Sequence, residues 1–302
     1  MLFRSIQNSE GKYKALVIYN EASHFSAGAN LGLAMFMINI AMWPQVEQFV
    51  ATGQKVFLDL KYAPFPVVSA PSGMALGGGC EILLAADAIQ AHAETYCGLV
   101  EVGVGLIPGW GGCKEMILRL QERERAAFKH NLEKIDKRSL WFSPDTTPMG
   151  ATRKAFETIG VATVAKSAQE AKEIGFMRES DGITMNRDRL LHDAKAKALD
   201  LAKDYKPKEQ ITDIRLPGKT GKLALDMAVA DLRKSGKATP YDVVVSSHLA
   251  AVLSGGDTDM TKTLSEQDLL DLELKEFMHL LHENGTYARI EHMLEKGKPL
   301  RN

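Results

Sequence analysis

Hydrophobic positions fall into two regimes along this chain. Residues 15–19 form a short unbroken apolar run of the kind that makes a strand covered on both faces, and 67–70 and 88–91 read the same way. Between the first two runs, apolar residues recur at helical spacings over 31–60, with an interruption at Pro44. Two helical pieces are predicted there, the second over 45–60. Pro64 and Pro66 then break the pattern. Residues 80–86 contain no breaker and read as a helix opening directly on glycines. Buried strands alternating with helices predict an α/β domain with a mostly covered sheet.

Downstream, a glycine-rich segment over 105–112 precedes a helix predicted for 114–132, and 137–148 reads as a loop rich in Ser, Thr and Pro. The pattern over 151–206 is helical, with Ser-Ala-Gln-Glu at 167–170 reading as a capping box that opens a short helix. Pro207, Pro217, Gly218 and Gly221 punctuate 205–222, the candidate linker. Helices follow over 222–234, 243–253 and from 264 to 282, the last opened by Ser265-Glu266-Gln267-Asp268. The expected division is a catalytic domain over 1–206 and a helical C-terminal region over 207–302.

Composition narrows the classes of function. With 37 basic and 38 acidic residues the net charge is −1, and no like-charge block suggests a nucleic-acid tail or a membrane-surface patch. No apolar stretch is long enough to span a bilayer. Cys80, Cys97 and Cys113 are odd in number and lack CxxC spacing, as expected of reduced thiols in a cytoplasmic protein. No nucleic-acid or membrane partner is expected.

Three segments can carry chemistry. Gly77-Gly78-Gly79-Cys80-Glu81 sets a triple glycine at a helix start. There the backbone approaches a ligand closely and unpaired N–H groups await an anion. Glu81 lies in the first turn of that helix. The loop Phe25-Ser26-Ala27-Gly28-Ala29-Asn30-Leu31 also joins a strand to a helix, and a second N–H can come from it. Glu101 sits among apolar and glycine residues, where a carboxylate is costly unless paired or functional. Taken singly, each segment is as well explained by packing. His279 and His282, three apart on a predicted helix, are expected to be surface or core residues and not metal ligands. Gly103-x-Gly105 lacks the context of a dinucleotide fingerprint.

Taken in order, FSAGANL, ALGGGCE and ETYCGLVEVGVGLIPGWGG, with 20 residues separating Glu81 from Glu101, resemble the signature of the crotonase (enoyl-CoA hydratase/isomerase) family. The match is close over about 12–130 and looser over 150–205. The resemblance implies a spiral of ββα units, N-terminally truncated, with a helical C-terminal extension. It implies an oxyanion hole from the backbone N–H groups of Ala29 and Gly78, with Glu81 and Glu101 as the carboxylates of syn hydration of a trans-2-enoyl-CoA in fatty-acid β-oxidation. Ala27, Gly28, Asn30, Leu31 and Gly77 would line the acyl-CoA path. The CoA thioester is then the substrate, with no metal and no other cofactor, and a homo-oligomer is expected. Asn30 stands where the family usually has Asp. The tail resembles the C-terminal end of bacterial bifunctional fatty-acid oxidation proteins, which implies an upstream dehydrogenase domain in the native polypeptide. The alternatives are a Δ3-Δ2-enoyl-CoA isomerase, or a non-catalytic acyl-CoA-binding fragment of a larger assembly.

Overall fold

The computed structural model describes residues 13–132 and 148–302. The loop expected over 137–148 lies outside them but for its last residue, Pro148. The apolar runs become the strands β1 (Leu16–Tyr19), β2 (Val67–Ala70) and β4 (Ala88–His92) of one parallel sheet. Its order is β1-β2-β4-β6, with β6 (Gly182–Thr184) at the far edge. A second parallel sheet pairs β3 (Met74–Leu76) with β5 (Tyr96–Gly98). Consecutive strands thus alternate between sheets, β2 then β3, β4 then β5. After β3 the turn is closed by the short helix α3 (Gly78–Ala85), giving the ββα repeat.

The helices follow the periodicity. α1 (Leu31–Asn39) is capped by Asn30, whose side chain accepts from the Leu33 N–H. α2 (Trp43–Lys61) starts at the interruption seen in the sequence, with Pro44 in its first turn, where a missing N–H costs nothing. Then come α4 (Gly112–Leu132), α5 (Pro148–Gly160), α6 (Ala168–Ile174) and α7 (Leu190–Leu201). The C-terminal helices are α8 (Gly218–Lys234), α9 (Pro240–Leu253), α10 (Glu266–Leu281) and α11 (Asn284–Lys296). α9 and α10 each open on a full capping box, Thr239 with Asp242 and Ser265 with Asp268. Among the described residues, no helix is long and apolar enough to cross a membrane.

Side chains alternate across the sheet as strand geometry requires. Val67 packs with Phe57, Leu60, Phe65 and Ala85 on one face, while Val68 and Ala70 meet Leu190, Ala194 and Ala198 of α7 on the other. The largest cluster runs from Leu83, Leu99, Ile107 and Met116 into Leu249, Leu269, Leu280 and Ile290 of the C-terminal helices. Those helices therefore share a core with the glycine-rich segments.

A buried charge cluster fastens α2, α4 and α10 together. Lys61 Nζ reaches the Glu115 carboxylate at 2.9 and 3.1 Å and also bonds Glu266. Lys114 bonds Glu115 and stands 3.5 Å from Glu266, which accepts from the Tyr62 hydroxyl at 2.5 Å. Burial alone would push the Glu115 carboxyl up, but Lys114 and Lys61 hold it well below the usual range. The two cations and two anions balance, so losing one leaves an uncompensated buried charge. Lys61→Met is expected to destabilise the fold by about 3–5 kcal/mol, read from the shift in its urea unfolding midpoint at unchanged slope.

Candidate active site

The loops of the first two motifs lie side by side. Ser26 forms a parallel bridge with Ala75, and the Leu76 N–H donates to the Ser26 carbonyl at 2.9 Å, drawing residues 26–30 along β3. Gly28 and Gly77 both have positive φ, 92° and 55°. A β-carbon on Gly28 would lie 3.2 Å from the Leu76 carbonyl oxygen and 3.8 Å from the Gly78 nitrogen. As the first residue of α3, Gly78 has no carbonyl one turn back for its N–H. The loop that carries Ala29 and the Gly78 amide are thus adjacent.

The carboxylates bracket the Gly77–Gly78 peptide. A β-carbon on Gly77 would sit 3.0 Å from Glu101 Oε1, and one on Gly78 would sit 3.8 Å from Glu81 Oε2. Glu81 Oε1 accepts the N–H groups of Trp110 (2.8 Å) and Gly112 (2.9 Å), which fixes its rotamer and leaves Oε2 turned toward Gly78. Glu101 opens a 3-10 turn (Glu101–Val104). Its Oε2 is buried and, among the described residues, lacks a hydrogen-bond partner. Burial pushes the Glu81 carboxyl up to about 7, against the pull of those two amides and of Lys114. Burial, and next the Glu81 charge, drive the Glu101 carboxyl well above its usual range. Two such carboxyls share a proton more readily than they both ionise.

Trp110 wedges between helices. Its ring would be struck at 2.2 Å by a β-carbon on Gly53 and at 2.7 Å by one on Gly78, and it meets Phe49 and Phe57 edge-on at 5.5 Å. At the other end of α3, Arg119 is 5% exposed and donates to the carbonyls of Leu83 (3.3 Å) and Leu84 (2.9 Å). Burial, and then Arg178, lower its pKa to about 10.

One residue of the site was not anticipated. Glu273 of α10, 0% exposed, accepts from the Gly111 N–H (2.7 Å) and the Lys114 N–H (2.8 Å). It thereby grips the same glycine loop that Glu81 holds through Trp110 and Gly112. Its carboxyl is pushed up to about 8 by burial and then by the Glu81 charge. A glutamate 162 residues from its partner, inside an ordinary amphipathic helix, carries no local signal of this contact.

The C-terminal helices also hold the Glu101 turn. Thr286 donates to the Gly105 carbonyl at 2.7 Å, and Arg289 donates to the Val102 carbonyl at 3.1 Å while pairing with Asp242 at 2.6 Å. Of the residues expected along the acyl-CoA path, Ala27, Gly28 and Asn30 are exposed, Leu31 is half-buried and Gly77 is buried. The Asn30 side chain is occupied by its helix cap. Cys80 and Cys97 are buried free thiols beside the glutamates.

Alternating parallel strands in two sheets, closed by short helices and followed by a helical C-terminal region, define the crotonase fold. Superposition agrees: an enoyl-CoA hydratase structure from Bacillus halodurans aligns with a TM-score of 0.59 at 15% identity, over 96% of this chain and 86% of that one. Residues 2–127 match the model of the enoyl-CoA hydratase/isomerase family. Over 305 aligned residues, all of this chain is 38% identical to a Bacillus subtilis (strain 168) protein named probable 3-hydroxyacyl-CoA dehydrogenase, and spans 36% of its length. A crotonyl-CoA hydratase of Syntrophomonas wolfei is 39% identical over 92 residues, 30% of this chain and 34% of that protein.

The raised carboxyls give stability a defined pH dependence. From the ordinary value of 4.5 up to about 7 for Glu81 and about 8 for Glu273, the folded state holds protons that the unfolded chain has released. Their stabilising contribution is complete below 4.5 and is lost as pH rises through the folded values. Urea midpoints should therefore fall between pH 5 and pH 8, roughly from the unfolded to the folded values. In Glu273→Gln the fall should be visibly shallower; equal slopes in the two proteins would contradict the assignment.

Proposed function

We propose that this chain hydrates a trans-2-enoyl-CoA to the 3-hydroxyacyl-CoA, within the breakdown of fatty acyl thioesters. The observation that carries the reading is the pair of buried carboxyls on either side of the Gly77–Gly78 peptide. The thioester oxygen would accept from the N–H groups of Gly78 and Ala29, which oppose the charge it gains as the enolate forms. Glu81 is the better anion of the pair, because two amides and Lys114 support its charge. It takes a proton from water as the water oxygen bonds C3. Glu101, kept protonated by burial and by its neighbour, delivers its proton to C2. The proton left on Glu81 then passes to Glu101, which restores the starting state.

The family match over residues 2–127 and the name of the Syntrophomonas wolfei relative support an acyl-CoA hydration, and the Bacillus subtilis relative's name supports a setting in 3-hydroxyacyl-CoA metabolism. Since the chain spans about a third of that relative, an attached dehydrogenase is part of the same proposal.

The test follows loss of the conjugated-thioester absorbance of crotonyl-CoA. Glu81→Gln and Glu101→Gln should each lower kcat by roughly 100- to 10,000-fold, and the native enzyme's kcat/KM should be bell-shaped in pH. Undiminished turnover in both variants would refute the roles. A 3-enoyl-CoA substrate separates hydration from isomerisation, because moving a double bond within the acyl chain needs one proton carrier and no water. Full isomerase activity in Glu81→Gln would favour that second reaction.

A further inference from the structure

Away from the glutamate cleft, α9 and α10 bring together three groups that the reaction does not use. His248 Nδ1 lies 2.6 Å from Glu276 Oε2, and His279 Nδ1 lies 3.7 Å from the same oxygen. The two imidazoles meet edge to face with centroids 5.9 Å apart. One donor atom from each of the three residues falls within 4.8 Å of the others. Glu276 and His279, three apart, present a carboxylate and an imidazole on one helix face. Helix bundles place metal ligands on facing helices with this same Glu-x-x-His spacing. His248 completes the set from the neighbouring helix.

A plain ion pair accounts for less of this arrangement. Glu276 with a protonated His248 satisfies both partners, but it leaves His279 directed at an oxygen already taken, too far away for a hydrogen bond. Two protonated imidazoles this close would also repel. The remaining charge on the cluster is Lys275, whose Nζ is 3.8 Å from Glu276 Oε1; its side chain is 61% exposed and can swing away.

We propose that His248, Glu276 and His279 bind a divalent transition-metal ion, zinc in preference to magnesium. Two imidazoles and one carboxylate suit zinc, whereas magnesium prefers an all-oxygen shell. At metal–ligand distances of about 2.0–2.2 Å, the edge of a tetrahedral site is about 3.4 Å. The His279–Glu276 edge is already close to that. The His248–Glu276 edge must open by less than about an ångström. With 55% of the His279 side chain exposed, the ion can enter from solvent and keep water as its fourth ligand. The ion would join α9 to α10 one helical turn beyond Glu273, and so brace the helix that holds the glycine loop. This site stands apart from the proposed hydration and does not depend on it. As a ligand, His279 departs from the sequence-based expectation; His282 does not, its ring lying tilted against Trp43 with centroids 4.0 Å apart.

The test uses the full chain freed of metal by chelation. Titration calorimetry should give one zinc ion bound per chain and no comparable heat with magnesium. Cobalt should give the visible d–d bands of a four-coordinate site, and zinc should raise the melting temperature. His279→Ala removes an exposed ligand that the fold does not need, and should weaken zinc by at least about 10–100-fold, with loss of the cobalt bands and of the zinc-induced shift. Glu276→Gln should do the same, and His279→Ala decides alone if that variant does not fold. Absence of zinc binding, or equal zinc affinity in the native chain and His279→Ala, would overturn the proposal.

Discussion

Four backbone amides at the start of α4 have to be satisfied away from water, and the site is organised around how this is done. Glu81 takes those of Trp110 and Gly112, and Glu273 takes those of Gly111 and Lys114. An unsatisfied buried N–H costs on the order of 1–3 kcal/mol, so neither carboxylate is free to wander. The helix end and the two acids define each other's positions. Burial keeps both carboxyls easier to protonate than in water, and the Glu81 charge raises Glu273 further. The arrangement that fixes the loop is therefore the one that tunes the proposed base.

The same economy runs through the C-terminal helices. α10 supplies Glu273 to the glycine loop and Glu266 to the Lys61–Lys114–Glu115 cluster, while Thr286 and Arg289 of α11 bind the carbonyls beneath Glu101. Both carboxyls of the cleft thus lean on residues from the last third of the sequence. The expected division at residue 206 follows the punctuation of the chain, but the hydrophobic core continues across it.

Much of the fold could be read from local pattern because local chemistry decides it. β1, β2, β4 and the two helices about Pro44 were visible as apolar runs and a proline, and Ser265-Glu266-Gln267-Asp268 marked a helix start that the structure places one or two residues after the expected 264. The three-residue strands β3 and β5 were not visible: strands so short have no period, and each exists through its pairing with the other. β6 lies in a stretch that looked helical, and it is a strand because Gln90, Ala91 and His92 offer it an edge. The site divides in the same way. Glycines and glutamates in fixed order announced Glu81, Glu101 and the two loops, whereas Glu273 is defined solely by a partner distant in sequence. Asn30 was legible as part of a loop, though its side chain serves the following helix.

Arg119 has a consequence for charge at the other end of the cleft. A helix of eight residues is about 12 Å long, so its negative C-terminal pole lies close enough to offset much of what its N-terminus does for an anion at Gly78. A buried guanidinium now covers that pole, on the carbonyls of Leu83 and Leu84. Seen from the Gly78 amide, the negative pole of α3 is masked and a buried cation stands behind the helix. The shortness of the helix, otherwise a weakness, is what brings the distant cation within electrostatic range of the Gly78 amide.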